Sequence, residues 1–211
     1  MQVTINNQTF TLHFTGAVFW HEQNVLLISD LHLGKVSHFR KHGVAIPKNA
    51  VTKNFSQLDF AVAFFNPGKV IFLGDLFHSA INSEWELFQG WMLSTSIEIT
   101  LIAGNHDIIS QNFYTDIGVQ VFNEIVAEGF LLTHYPEVRE GFFNFCGHIH
   151  PAVNIYGKGR QSIKLPCFFQ KEHQMILPAF GEFTGTFVIN PSENDNIYVI
   201  AKKEVMLISK V

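Results

Sequence analysis

Five apolar runs in this chain each end in a side chain able to hold a metal or a proton, and that repetition constrains the fold more than any other feature. Val25-Leu26-Leu27-Ile28-Ser29 leads into Asp30-Leu31-His32. Residues 70–73 lead into Gly74-Asp75, and residues 99–103 into Gly104-Asn105-His106-Asp107. Residues 130–133 lead into His134, and residues 142–146 into Gly147-His148-Ile149-His150. Short runs rich in Val, Ile, Leu and Phe read as buried strands. In open α/β sheets ligands bind beyond the carboxyl ends of strands, so the five ends are expected to converge on one site.

The rest of the chain supplies a frame for those strands. A hairpin is expected at the start, with Val3-Thr4-Ile5, a turn at Asn6-Asn7 and an alternating run over 9–14, followed by a short run over 17–20. Val51, Phe55, Leu58 and Val62 recur at helical spacing and predict a helix over 49–65, stopped by Pro67-Gly68. Ser83 is a candidate N-cap for a helix over 84–93, with Glu86 at the capping-box position. Beyond residue 119 the pattern is strands and turns, meander-like. Alternating strand and helix followed by strands predicts an α/β chain of sheets packed together with helices outside, in a single domain over residues 1–211. At 47% hydrophobic residues and a net charge of -4 the chain is not disordered. Its 22 Phe read first as core, with room left for an aromatic partner surface or a homodimer. No apolar run approaches a membrane span, no secretory signal is expected at Met1-Gln2-Val3-Thr4, and Cys146 and Cys167 read as buried thiols in a reducing cytoplasm.

The donor types at the strand ends define the chemistry. Asp, His and Asn offer oxygen and nitrogen without thiolate, which suits manganese, iron or zinc. Asp30 and Asp75 side by side would repel unless a divalent cation sat between them. The glycines before Asp75, Asn105 and His148 allow the chain to turn close to a metal. Asp30-x-His32 and His148-x-His150 would each place two donors on one side of an extended segment. Seven donors exceed a four-coordinate structural site, so a two-metal centre is expected.

The ordered set Asp30-x-His32, Gly74-Asp75, Gly104-Asn105-His106-Asp107, His134, Gly147-His148-x-His150 resembles the calcineurin-like metallophosphoesterases. That resemblance implies an α-β-β-α sandwich of two mixed sheets flanked by helices. It implies that Asp30, His32 and His150 hold one metal, that Asn105, His134 and His148 hold the other, and that Asp75 bridges them. His106 would sit beside the scissile phosphate as general acid or charge stabiliser, Asp107 would orient its imidazole, and a metal-bridging hydroxide would attack phosphorus in line.

The substrate is read from the segment after the first motif. No acid occurs over 31–58, a stretch that carries Lys35, Arg40, Lys41, Lys48 and Lys53. Lys35 and Arg40 could grip a phosphate backbone. His78, in Gly74-Asp75-Leu76-Phe77-His78-Ser79, either approaches the site or caps the next helix. These residues resemble the SbcD-related, DNA-ligase-associated endonucleases called PdeM, which implies a manganese-dependent DNA endonuclease or end-processing enzyme of a repair set with a DNA ligase and a helicase. A hydrolase of small nucleotides and a catalytically inert binding scaffold stay open as alternatives. The loop over 178–185 could wall the pocket, with Phe stacking on bases, or simply close the second sheet.

Overall fold

A computed structural model describes residues 1–41, 43, 50–157, 159, 161–182 and 184–208. His42, Ile46, Pro47, Lys48, the expected helix start Asn49 and Phe183 lie outside the described residues. The first sheet has seven strands, in order β1(Gln2–Ile5), β2(Gln8–Leu12), β3(Val18–Trp20), β4(Val25–Ile28), β5(Lys69–Phe72), β6(Glu98–Ile102) and β7(Gln120–Phe122). It is antiparallel from β1 to β4 and parallel from β4 to β7. Helices α1(Lys35–Lys41), α2(Ala50–Phe65), α3(Ser83–Ser94) and α4(Gln111–Asp116) form its connections.

The second sheet contains β8(Ile125–Ala127), β9(Phe130–Leu132), β10(Phe143–Cys146), β11(Pro151–Tyr156), β12(Ser162–Lys171), β13(Gln174–Ile176), β14(Phe187–Val188), β15(Asn196–Ala201) and β16(Glu204–Ile208). The expected meander holds only for part of it. β10 runs parallel to both β9 and β13, and this shared direction delivers the ends of β9 and β10 to one edge of the sheet.

Strand alternation explains the layers, because successive side chains face opposite sides of a sheet. Leu26, Ile28, Val70 and Phe72 meet Leu58, Ala61, Trp85, Phe88 and Tyr114 from the helices. Leu27, Ile71 and Leu73 turn the other way and meet Phe130, Phe145, Phe168 and Met175 of the second sheet. Many of the phenylalanines are core residues, and Phe10, Trp20, Phe130 and Phe145 form one contiguous aromatic cluster at 4.7–5.7 Å between ring centroids. The outer face of the second sheet carries a third cluster, in which Cys146, Cys167 and Ile176 pack with Val153 and Ile189. Among the described residues no α-helix follows residue 116, so the sheet's own β11–β12–β14 extension supplies this packing. No helix among the described residues is long and apolar enough to cross a membrane.

One cap differs from expectation. Asn82, in extended backbone, is the N-cap of α3 and its side chain accepts from Glu84 N. Ser83 therefore lies inside the helix, and Glu86 is not at the reciprocal position. Helices α1 and α4 and strands β7 and β8 had no periodic signal, being three to seven residues long.

Candidate metal centre

The five motif loops meet at the carboxyl edge shared by the two sheets. Pairing continues past the ends of β4 and β5: Asp30 N donates to Gly74 O, His32 N to Asp75 O and Leu33 N to Leu76 O at 2.8–3.2 Å. The two sheets are tied by His148 N donating to Asp30 Oδ2 at 3.0 Å and by His134 Nδ1 contacting Leu73 O at 2.9 Å. Close approach of site side chains accounts for two of the glycines. A Cβ on Gly74 would strike the His134 ring, and one on Gly147 would strike Ser29 and Asp30.

Asp30, His32, Asp75, His148 and His150 all adopt positive φ, between 51° and 67°. The Asp-x-His and His-x-His segments are thus not the extended segments that the sequence predicts. They kink through the left-handed region, which costs about 1–3 kcal/mol per non-glycine residue and is held where function requires it. The kinks aim the side chains inward. His150 Nε2 lies 3.0 Å from Asp30 Oδ1, and His32 Nε2 lies 3.9 Å from the same oxygen. Ligand atoms of Asp30, His32 and His150 all fall within 4.8 Å of one another, as do those of Asp30, Asp75 and His134. His134 Nε2 also lies 3.1 Å from Asn105 Oδ1 and 3.2 Å from His148 Nδ1. The two oxygens of Asp75 divide between these groups: Oδ2 is 3.8 Å from His32 Nε2, and Oδ1 is 3.5 Å from His134 Nε2.

These residues fit divalent cations. Asp30, His32, Asp75 and His134 are buried, yet His32 Nδ1 makes no hydrogen bond and Asp30 Oδ1 has only the His150 and His32 rings beside it. Carbonyl acceptors fix two imidazoles for ligation. Leu73 O accepts from Nδ1 of His134, and Gly185 O, 3.0 Å away, from Nδ1 of His150, which turns both Nε2 atoms toward the site. Burial drives the His32 imidazole down to about 2 against the pull of Asp30, and it also lowers His148, so both stay neutral donors. Burial raises the Asp30 carboxyl, but His150 and Ser29 outweigh it and leave the carboxyl below its ordinary value.

His106 stands beside the groups rather than within them. Its backbone N–H donates to Asp75 Oδ1 at 2.9 Å, and its ring lies 5.5 Å from His32 and 4.5 Å from His78. His78 therefore faces the site, and the cap of α3 belongs to Asn82. Asp107 departs from expectation. Its carboxylate does not hold the His106 ring; it accepts from the backbone N–H groups of Asp75 and Gly104 through Oδ2, and of Phe77 through Oδ1, at 2.7–3.0 Å. Three amide donors across two loops outcompete a single imidazole, so Asp107 braces the loops. Burial pushes its carboxyl up to about 6 despite those bonds.

Lys35 opens α1, half-buried, close enough to Asp75 and Asp30 for both to raise its pKa, although burial lowers it overall. Arg40 is exposed on the same helix. Sequence reasoning missed Glu84. This buried carboxylate on α3 accepts from Gly34 N at 2.7 Å, Ser37 N at 3.1 Å and Ser37 Oγ at 2.7 Å, and so caps α1 from outside. A lone Glu in a helix carries no sign of this, because its partners lie some 50 residues away. The 178–185 loop also gains a part: Gly181 N donates to Asp30 O, and Gly185 O holds His150. Phe180 is buried among the helices and is not available to stack on a base.

A family model for the calcineurin-like phosphoesterases matches residues 23–164. The chain belongs to that family. The phosphoesterase is also similar to the crystal structure of nuclease MPE from Pseudomonas putida, with 28% identity, 99% of each chain covered and a TM-score of 0.83. Similarity to YfcE, a phosphoesterase from E. coli, is 15% identity over 88% of this chain and 98% of that one, with a TM-score of 0.47. No curated protein matches the chain. The phosphoesterase is accordingly a metal-dependent enzyme of a family built on two-metal centres, on two mixed sheets as its sequence implies.

Proposed function

We propose that this phosphoesterase is a manganese-dependent phosphodiesterase that cuts DNA, as an endonuclease or end-processing enzyme in repair. The observation that carries the two-metal reading is Asp75, whose oxygens face one imidazole from each group, 3.8 Å to His32 and 3.5 Å to His134. In this reading Asp30, His32 and His150 hold one ion, Asn105, His134 and His148 hold the other, and Asp75 spans both. When bound, the pair supplies a water nucleophile at neutral pH and withdraws charge from the phosphate. The oxygen and nitrogen donors favour manganese, with iron or zinc as substitutes. His106, beside His32 and outside the ligand groups, donates a proton to the leaving oxygen. Lys35 and His78 flank the same opening and bind the phosphate, and Arg40 extends that contact along α1.

DNA as substrate is supported by the acid-free basic segment over 31–58 and by the end-to-end likeness to a nuclease. The same reading makes the chain a one-domain cytoplasmic protein that works beside a DNA ligase and a helicase. The test is hydrolysis of bis(p-nitrophenyl) phosphate, p-nitrophenyl phosphate and a labelled DNA oligonucleotide with Mn²⁺, in wild type and His106→Ala. Diester and DNA cleavage are expected in wild type. The variant should lose about 10²-fold or more in turnover while keeping both metals. Diester cleavage without DNA cleavage would replace this reading by a small-nucleotide hydrolase. Absence of both activity and bound metal would leave a binding scaffold.

A further inference from the structure

Directly after His134 comes a residue that the ligand motif does not explain. Tyr135 is 50% exposed, although its ring packs on two imidazoles of the centre. Its centroid is 4.9 Å from that of His134 and 4.6 Å from that of His148, tilted 72° and 58° to them. An exposed aromatic ring is common on surfaces, but this one is held in place. Tyr135 O accepts from Thr133 Oγ1 at 2.7 Å, and the same hydroxyl accepts from the side-chain amide of buried Asn144 at 2.8 Å. Gln174, also buried, donates to Asn144 Oδ1 at 3.0 Å. The turn that presents Tyr135 is therefore fixed by a satisfied buried network, and its ring can meet a ligand without first being ordered.

The ring offers a planar apolar face beside the two imidazoles. The other side of the centre, at His32, carries Lys35 and His78. One flank is thus cationic and imidazole-rich and the other presents an exposed aromatic ring. A phosphodiester with a base beside it has the same two parts.

We infer that Tyr135 is a specificity-determining platform on which the nucleobase next to the scissile phosphate stacks. This rests on the nuclease reading above and names the part of the substrate that the metal centre itself cannot distinguish. Base–aromatic stacking is tolerant of sequence, so the platform selects an unstacked base, at a strand end or in a single strand, rather than a particular letter.

The test is a two-by-two cycle. Wild type and Tyr135→Ala cleave a labelled single-stranded oligonucleotide whose cut position has been mapped, and the same oligonucleotide with a tetrahydrofuran abasic residue on either side of the cut. Tyr135→Ala should lower kcat/KM on the intact strand about 5- to 100-fold, chiefly through KM. On the abasic strand the two proteins should agree within about twofold, and Tyr135→Phe should restore cleavage of the intact strand. A loss equal on both strands would assign Tyr135 to packing His134 and His148 and overturn the inference, as would no loss at all. Failure of wild type to cut the intact strand would reject the nuclease reading and this inference with it.

Discussion

The two sheets bring different chemistry to the same edge. The first contributes the acids, the amide and one imidazole, in Asp30, Asp75, Asn105 and His32; the second contributes imidazoles alone, in His134, His148 and His150. Their supports differ in kind as well. First-sheet carboxylates are held by N–H donors, as His106 N holds Asp75 and His148 N holds Asp30. Second-sheet imidazoles are held by carbonyl oxygens, Leu73 O for His134 and Gly185 O for His150. The first sheet holds all the negative charge but one imidazole, and the second holds three imidazoles and no acid, so the donor set is complete only where the two meet. The centre is thus a property of sheet packing, and the aromatic cluster between the sheets is part of what aligns it.

The comparison is broken most severely at Asp75. In the proposed arrangement Asp75 spans both ions, so Asp75→Asn should release or weaken both together and turnover should fall about 10³-fold or more. His148→Ala removes one imidazole from one group. It should deplete a single ion per chain and leave the other. Metal content by elemental analysis distinguishes the outcomes. One ion retained by Asp75→Asn, or both lost by His148→Ala, would show that the acid and imidazole sides are not divided as drawn.

A smaller effect is expected at Asp107, whose carboxylate laces the first-sheet loops. In Asp107→Asn one oxygen becomes an NH₂ group facing backbone N–H donors from Asp75, Phe77 or Gly104. A buried mismatch of this kind costs about 1–3 kcal/mol, and loss of such a supporting contact typically weakens metal affinity about 10–100-fold. Calorimetric titration of Mn²⁺ into the apoprotein checks the second figure. An unchanged affinity with lowered thermal stability would restrict Asp107 to folding.

Much of this was legible because buried strands and their carboxyl ends leave a local trace: an apolar run, then Gly or a polar donor. The donor residues at the strand ends, the helix on 50–65 and most strands carry that trace. What escaped has long-range causes. Glu84 caps α1 from another helix, Asp107 chose backbone amides over the imidazole next to it in sequence, and Gly185 O supports a histidine 35 residues away. The direction of β10 against β9 and β13 is equally invisible, since a run such as Phe143–Cys146 is the same in a meander or a parallel pair. The kinks at Asp30 and His148 fall on residue types that enter the left-handed region more readily than most, but no local pattern marks these positions, and tertiary pairing imposes them.

The mildest test uses a histidine whose pKa burial lowers, as it does for His32 and His148, but without their neighbours. His13 is buried at the end of β2, its Nδ1 2.8 Å from Thr15 Oγ1 and its ring 4.2–5.1 Å from Phe14, Phe64 and Phe65. Burial pulls its pKa down from 6.5 to about 4. Above pH 6.5 the imidazole is neutral in both folded and unfolded chains and costs nothing. Between 6.5 and 4 the unfolded chain takes up a proton that the folded chain refuses, so stability falls across that window and not below it. His13→Phe removes this contribution. Its stability should therefore drop less than that of wild type on acidification, by about 1–2 kcal/mol once partial solvent screening is allowed for. Urea unfolding of both apoproteins at pH 7 and pH 4 measures the difference directly. Metal-facing histidines titrate alike in the two proteins and cancel. A difference that stays constant between the two pH values would place His13 among protonated imidazoles, and would mean that neutral histidine in this fold is confined to the seam where the two sheets meet.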